Sequence, residues 1–421
     1  MILRTNPAPV AVVGASAAGT AVVESLHRLG YDGPVVLIGD EPHLPYERPP
    51  LSKQVLTGVQ APGATTIRDA ALLADRPGLD LRLGVRAAAL DVARRRLTLA
   101  SGEVLDCAAV VIATGVVPRR LPGADRLSGV HVLRTTDDAA ALRKDLVTGG
   151  DVVVVGGGVL GTEVAAAARS LGLRTTVVTL DGQLLAPVLG PEVGRLLADE
   201  HRRHGVRVRA GQAVTGLLGA HGQVTAVRLA DGSVIPADIV VVAAGALPAT
   251  DWLAGSGLDL DDGVGCDSYC VAAPSVYAAG DVARWWHPRY ERPLRVEHRM
   301  NASEQGMVVA RNLMASLTAS GPGRQTYEPV PYFWSDQFGW RIQGYGVTTG
   351  STRTELVRAV PGSGDRAPSV VALYGDAERV LGAVGIGLRP PALRVLRTCA
   401  AGLLPWDEGL AAVRAMGEGS L

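Results

Sequence analysis

Aromatic residues make up only 4% of this 421-residue chain, and they are unevenly placed. From Glu47 to Asp251 there is not one Phe, Trp or Tyr, so any aromatic role falls to the rest of the sequence. Lysine is nearly absent too: Lys53 and Lys144 are the only two among 41 basic residues. Four cysteines (Cys107, Cys266, Cys270 and Cys399) are too few and too scattered for a disulfide framework. Three residues separate Cys266 from Cys270, which excludes a C-x-x-C redox pair and leaves them as small core or loop residues. Acidic and basic side chains balance at a formal charge of zero, so nothing global points to nucleic acid or a membrane surface. No uncharged apolar run reaches the ~18 residues of a membrane span. The small-residue run Pro9–Ala21 has no leucine-rich centre and opens straight into a strand, unlike a secretory leader. A soluble, cytoplasmic protein is expected, a monomer or homodimer. The eight histidines suggest no metal site, and His201 and His204, three apart on a helix, read as part of a solvated polar face.

What the chain has in excess is glycine, and two glycine loops share one design. The first follows Val10-Ala11-Val12-Val13 and reads Gly14-Ala15-Ser16-Ala17-Ala18-Gly19. The second follows Asp151-Val152-Val153-Val154-Val155 and reads Gly156-Gly157-Gly158-Val159-Leu160-Gly161. A buried strand, a tight turn and a helix start let backbone N–H groups approach a pyrophosphate. Ser16 replaces the middle glycine in the first copy. A nucleophile elbow is excluded there, because G-x-S-x-G needs glycine where Ala18 stands. Two such loops in one chain imply two dinucleotides, and hence electron transfer between them.

The surroundings of the loops repeat as well. Asp40 ends the strand after the first loop, 21 residues past Gly19, where a carboxylate meets an adenosine ribose. The strand Val110-Val111-Ile112-Ala113-Thr114-Gly115 closes the first half, and Ile239–Ala244 with Gly245 closes the second. Each half therefore runs from glycine loop to a strand–glycine–proline exit, an internal repeat at domain scale. Further on, Val276-Tyr277-Ala278-Ala279-Gly280-Asp281 puts a carboxylate at a strand's C-terminal edge. Ser316–Arg324 reads as a linker, followed by a final segment of strands interrupted by a loop at Pro361–Asp365. That segment holds Tyr332, Phe333, Trp334, Phe338 and Trp340, either as its own aromatic core or as a cover for a flavin or a docking face. At this length two or three domains are expected.

The segment Pro45-Tyr46-Glu47-Arg48-Pro49-Pro50-Leu51-Ser52-Lys53 is more specific than either loop. Together with the paired loops, Gly280-Asp281 and Tyr332-Phe333-Trp334-Ser335-Asp336-Gln337, the chain resembles the FAD-dependent, NADH-linked ferredoxin reductases. That family takes in putidaredoxin reductase and the reductases of Rieske-type dioxygenase systems, with apoptosis-inducing factor as a relative. The resemblance implies an α/β fold: two Rossmann-like dinucleotide-binding domains, as in glutathione reductase, and a small C-terminal α+β domain. An FAD domain would cover 1–116 and 247–325, an NAD domain 117–246, and the C-terminal domain 326–421. The first loop (Gly14, Ser16, Ala17, Ala18, Gly19) would hold the FAD pyrophosphate, Asp40 the ribose, and Gly280-Asp281 the ribityl chain or pyrophosphate. Pro49 would lie along the isoalloxazine ring with Lys53 near its reactive nitrogen, and Arg48, Ala87, Ala113, Thr114, Gly115, Arg134 and Trp334 would complete the FAD site. The second loop (Gly156, Gly158, Val159, Leu160, Gly161), with Ala244 and Gly245, would hold NAD. Glu163 would pair with Lys53 across the flavin face and position the nicotinamide. A compact ammonium suits an anionic reduced flavin in a way that arginine's planar fork does not.

Two residues depart from the family pattern. Thr179 stands where an acidic residue usually selects the NAD ribose, with Asp181 two residues on as a substitute and no arginine beside it. Arg299 stands where relatives often have tryptophan, making the flavin's surroundings more cationic. The expected activity passes electrons from NADH through FAD to a [2Fe-2S] ferredoxin that serves a cytochrome monooxygenase or Rieske oxygenase. The rivals are an NAD(P)H oxidase or quinone reductase, and a flavoprotein redox sensor whose NAD site has weakened through Thr179.

Overall fold

Apolar runs with no polar alternation form parallel strands covered on both faces, and this chain holds two sets of them. The computed structural model describes residues 8–67, 73, 76–318, 321–360 and 369–416. It falls into two compact units: Met1–Glu47, Thr65–Val117 and Leu247–Pro329 form one, and Arg48–Ala64, Pro118–Ala246 and Val330–Leu421 the other.

In the first unit, Val10–Val13, Val35–Ile38 and Ala109–Ile112 are buried at every position. They lie at the centre of a six-stranded sheet in the order Val271–Ala273, Val276–Ala278, Ala109–Ile112, Val10–Val13, Val35–Ile38, Leu79–Arg82. Val10 pairs with both Val35 and Ala109, and all pairings are parallel except that of the outermost Val271–Ala273. The helices Ala17–Arg28 and Arg299–Leu317 join the core on one face of the sheet. They approach closely at Gly306, where a Cβ would come 2.6 Å from the Ala18 carbonyl oxygen. On the opposite face, the core includes the antiparallel strands Ala87–Asp91 and Arg96–Leu99.

The second unit repeats the plan. Its five-stranded parallel sheet runs Arg207–Ala210, Arg174–Thr179, Asp151–Val155, Ile239–Val242, Val130–His131. The helix Thr136–Thr148 starts at a capping box in which Thr135 and Asp138 exchange hydrogen bonds. The same unit carries an antiparallel sheet in the order Tyr332–Gln337, Trp340–Gly346, Val380–Ile386, Ser369–Gly375, Arg353–Val360. One face packs against Leu185, Leu189, Val193 and Leu197 at and along the helix Ala186–Arg203, and the other against the helices Pro390–Gly402 and Trp406–Arg414.

The expected linker starts late, because the helix Arg299–Leu317 runs into it. Residues 319–320 of that segment and the loop Pro361–Asp365 lie outside the described residues. Phe333 and Trp340 belong to the core shared with Ala186–Arg203, while Tyr332 and Trp334 stack on the opposite side of their strand at 5.9 Å. The aromatic cluster thus serves two faces.

Candidate functional site

The two glycine loops have the same geometry. Gly14 has φ +120°, and a Cβ on it would sit 2.1 Å from the Ala113 carbonyl oxygen. Gly156 has φ +119°, and its Cβ would sit 2.1 Å from the Ala243 carbonyl oxygen. Gly19 and Gly161 each leave room for nothing but hydrogen, since a Cβ would lie 2.0 Å from the oxygens of Gly14 and Gly156 respectively. The helices they open, Ala17–Arg28 and Val159–Ser170, start at Ser16 and Gly158 with no side-chain cap and no acidic residue in the first turn. Uncapped N–H groups at a positive helix end, approached by a loop without side chains, suit a pyrophosphate. The donor set therefore fits a dinucleotide in each unit.

In the first unit one expected residue, Gly280, lies beside that helix start. Gly280 follows the strand Val276–Ala278, gives its N–H to Gln305 Oε1 at 2.8 Å, and would place a Cβ 3.0 Å from that of Ala18. Asp281 follows it. Asp40 is exposed just past the end of Val35–Ile38. Thr114 donates to the Ala249 carbonyl at 2.9 Å, beside Gly115 at φ +69°. Ala87 is buried at the start of its strand. Arg299 pairs in fork geometry with Glu47, so its charge is matched within the unit.

In the second unit the segment Leu51–Val55 forms a short π-type turn directly after Pro49-Pro50, and it brings Lys53 to Glu163. Lys53 Nζ lies 2.7 Å from Glu163 Oε2 and also donates to the Pro49 carbonyl at 3.1 Å. Glu163, on the helix Val159–Ser170, is 5% exposed. Burial of a carboxylate demands donors, and two serines supply them. Ser52 donates to Oε2 and Ser335 to Oε1, each at 2.6 Å. Gln337 Nε2 reaches Ser335 Oγ at 3.0 Å and Thr162 Oγ1 at 2.9 Å. Arg48 donates to the Arg134 carbonyl at 2.6 Å. Trp334 is half-buried on the same strand as Ser335.

Thr179 is buried at the end of Arg174–Thr179, under Gly157, whose Cβ would come 2.8 Å from its side chain. Its hydroxyl accepts the Asp181 N–H at 3.3 Å, and Asp181 itself is exposed. Ala244 and Gly245, the latter at φ +88°, follow the strand Ile239–Val242.

Sequence reasoning missed Ser52, Ser335, Gln337 and Thr162 as parts of one network. Their signal lies in the strand Tyr332–Gln337, which alternates half-buried and buried. Polar Ser335 and Gln337 occupy the buried positions that Phe333 begins. His201 is also corrected. It is 1% exposed, because its helix face meets the C-terminal sheet, whereas His204 is exposed as expected. The cysteines are free, and burial pushes the Cys107 thiol up to about 11 and that of Cys270 to about 12. Thiols held protonated in this way are inert. Among the described residues no group of three or more His, Cys, Asp or Glu is placed to hold a metal ion. Nor is any helix there long and apolar enough to cross a membrane.

Residues 8–306 match the family model for pyridine nucleotide-disulphide oxidoreductases. The chain belongs to that family. Residues 332–412 match a second model, the reductase C-terminal domain. Among curated proteins, the chain is 37% identical over 378 residues to a ferredoxin–NAD(P)+ reductase of Sphingomonas sp., covering 88% of each. It is 36% identical to the ferredoxin–NAD+ reductase component of the anthranilate 1,2-dioxygenase system of Burkholderia cepacia, covering 96% of this chain and 97% of that one. Among solved structures, the covalent putidaredoxin reductase–putidaredoxin complex matches with a TM-score of 0.86 and 30% identity, over 97% of this chain and 100% of that one. The expected fold class is borne out: Rossmann-type dinucleotide folds with a strand-rich C-terminal domain.

Proposed function

We propose that this member of the oxidoreductase family is an FAD-dependent NAD(P)H:ferredoxin oxidoreductase. The observation that carries the reading is the duplicated loop, with Gly14 and Gly156 in one conformation and each Cβ position 2.1 Å from a carbonyl oxygen. The first loop, Asp40 and Gly280-Asp281 hold FAD within a domain of 1–116 and 247–325. The second loop, with Thr179 and Asp181, holds the nicotinamide cofactor within 117–246, and Lys53 with Glu163 positions the nicotinamide. Residues 326–421 form the third domain. Held there, FAD would supply the exchange between a nicotinamide electron pair and the single electrons that a [2Fe-2S] ferredoxin requires. That ferredoxin serves a cytochrome monooxygenase or a Rieske oxygenase. The enzyme acts in the cytoplasm as a monomer or homodimer, without a nucleic-acid or membrane partner.

The purified protein is expected to be yellow and to release FAD on heating. Under anaerobic conditions NADH should bleach it, and cytochrome c reduction should depend on added [2Fe-2S] ferredoxin. A protein still colourless after reconstitution with FAD defeats the assignment. Full turnover with oxygen or a quinone, independent of ferredoxin, moves it to an oxidase or quinone reductase. A flavin that neither nicotinamide bleaches makes it a redox sensor, the outcome that Thr179's lack of charge leaves open.

A further inference from the structure

The Glu163 carboxylate is gripped from three directions, and the hold on Oε1 comes from a strand 172 residues away in sequence. Ser52 and Lys53 both address Oε2, so they fix one oxygen and leave the carboxylate free to turn about it. Ser335 addresses Oε1 and removes that freedom. A hydroxyl has one proton to give. Ser335 gives its own to Glu163, and must therefore accept from Gln337 Nε2 at 3.0 Å. The second N–H of the same amide goes to Thr162 Oγ1 at 2.9 Å, and Thr162 in turn donates to the carbonyl of Gly158 or Val159. The direction of every proton in this chain follows from one fact: Gln337 presents its NH2 group to both hydroxyls. Because Ser335 has spent its proton on Glu163, only the NH2 end of the amide suits it, and this orientation leaves Gln337 Oε1 buried with no hydrogen bond.

The strand carrying these residues is itself pinned. Phe338, at φ +48° in the turn after it, stacks on His204 with ring centres 4.1 Å apart and meets His201 edge-on at 5.0 Å. His201 Nε2 lies 3.3 Å from the Thr162 carbonyl oxygen. Ser335, Gln337 and Phe338 therefore bear on Thr162-Glu163 directly or through one imidazole.

We infer that Ser335 and Gln337 are positioning residues for hydride transfer, acting through Glu163. The C-terminal strand sets the orientation of the Glu163 carboxylate, and through it the place of the Lys53 ammonium. This inference rests on the reading above that Glu163 and Lys53 position the nicotinamide.

Anaerobic stopped-flow reduction of the FAD-loaded enzyme over a range of NADH concentrations separates the limiting rate from the NADH Kd. Ser335→Ala should lower the limiting rate about tenfold, the size of a lost hydrogen bond to a charged group, and leave Kd within about twofold. Ser335→Thr, which keeps the hydroxyl, should restore the rate. Gln337→Glu is nearly isosteric but accepts from both hydroxyls, taking Ser335's proton away from Glu163, and should slow the step as Ser335→Ala does. Adding Ser335→Ala to Glu163→Gln should cost no further rate. Equilibrium urea unfolding of the same single and double variants gives a readout without turnover, in which the two sites should be non-additive. If Glu163→Gln is slow while Ser335→Ala and Gln337→Glu match the parent, the inference falls and the role of Glu163 stands. If Glu163→Gln itself matches the parent, that role falls and the inference with it. A raised Kd with an unchanged limiting rate also overturns it, since the strand would then be a binding wall. Should Ser335→Ala fail to fold, Ser335→Cys and Gln337→Glu carry the same expectations.

Discussion

At the scale of single residues, the proposed nicotinamide site makes cofactor choice a matter of Thr179 and Asp181. Thr179 is neutral and buried and accepts the Asp181 N–H, so in the proposed site it has no charge to repel the 2′-phosphate of NADPH. In the reading proposed above, Asp181, exposed two residues on, supplies the discrimination in its place. NADH should be favoured, but less than a well-placed carboxylate would favour it. A charge-assisted hydrogen bond is worth about 1.5–3 kcal/mol, or roughly ten- to a hundredfold. Thr179→Glu should raise the ratio of kcat/KM for NADH over NADPH by about that factor, and Asp181→Ala should lower it. Equal ratios in both variants and the parent would place the selecting group elsewhere. Lys53 offers a second test. Its ammonium meets Glu163 Oε2, the Ser52 hydroxyl at 3.4 Å and the Pro49 carbonyl in a compact cluster. A guanidinium keeps the charge but spreads it over a rigid fork. Lys53→Arg is therefore expected to retain FAD and slow its reduction by NADH about tenfold, as a displaced charge-assisted contact would; a parental rate would show that charge alone suffices.

At the scale of elements, the two strand–loop–helix units were legible because their signals are local. Val10–Val13 and Asp151–Val155 are short apolar runs, and the glycines follow at once. The Lys53–Glu163 ion pair was legible only through resemblance, since 110 residues separate the partners. The serine and glutamine network left one sign, polar Ser335 and Gln337 at the buried positions of their strand, and none that named Glu163 as the partner. A serine in a strand gives no sign of facing a carboxylate until the fold brings helix and strand together. His201 failed for the same reason: the helix Ala186–Arg203 looks amphipathic, but its second covered side appears only when the C-terminal sheet packs on it. The duplicated loops make a paired prediction. A Cβ at either Gly14 or Gly156 would strike a carbonyl oxygen and sit at a φ that other residues rarely adopt. Gly14→Ala should purify with little FAD. Gly156→Ala should purify with normal FAD and need more than about tenfold more NADH for half-maximal bleaching, a loss of over about 1.4 kcal/mol in binding. Absorbance at purification and an NADH titration decide it, and loss of FAD from Gly156→Ala would undo the assignment of the loops.

At the scale of the whole molecule, each unit has its own sheet, core and phosphate loop, so stability can be argued unit by unit. The first unit carries two histidines that folding holds neutral. Burial, helped by Arg289 nearby, lowers the His287 pKa to about 4 against the opposing pull of its hydrogen bond to the Pro329 carbonyl. His287 Nε2 is 2.9 Å from the Pro329 carbonyl, which assigns that nitrogen the proton, and Nδ1 is buried without a partner. Burial also takes His298 to about 4, against a smaller opposing pull from Glu297. Their ordinary value is 6.5, so the sign is fixed. Above pH 6.5 folded and unfolded chains are both neutral at these sites. As pH falls from 6.5 toward 4 the unfolded chain takes up protons that the folded one refuses, and stability drops. Each histidine contributes at most about 1.4 kcal/mol per pH unit in that window, and nothing further below it. Urea unfolding in saturating FAD should therefore show a steep loss between pH 6.5 and 4. His287→Gln keeps an N–H for the Pro329 carbonyl but removes the titration. Its curve should be lower at neutral pH, through imperfect packing against Trp285 and Tyr290, yet shallower on the acid side. Parallel curves for parent and variant would show that His287 accepts its proton without unfolding.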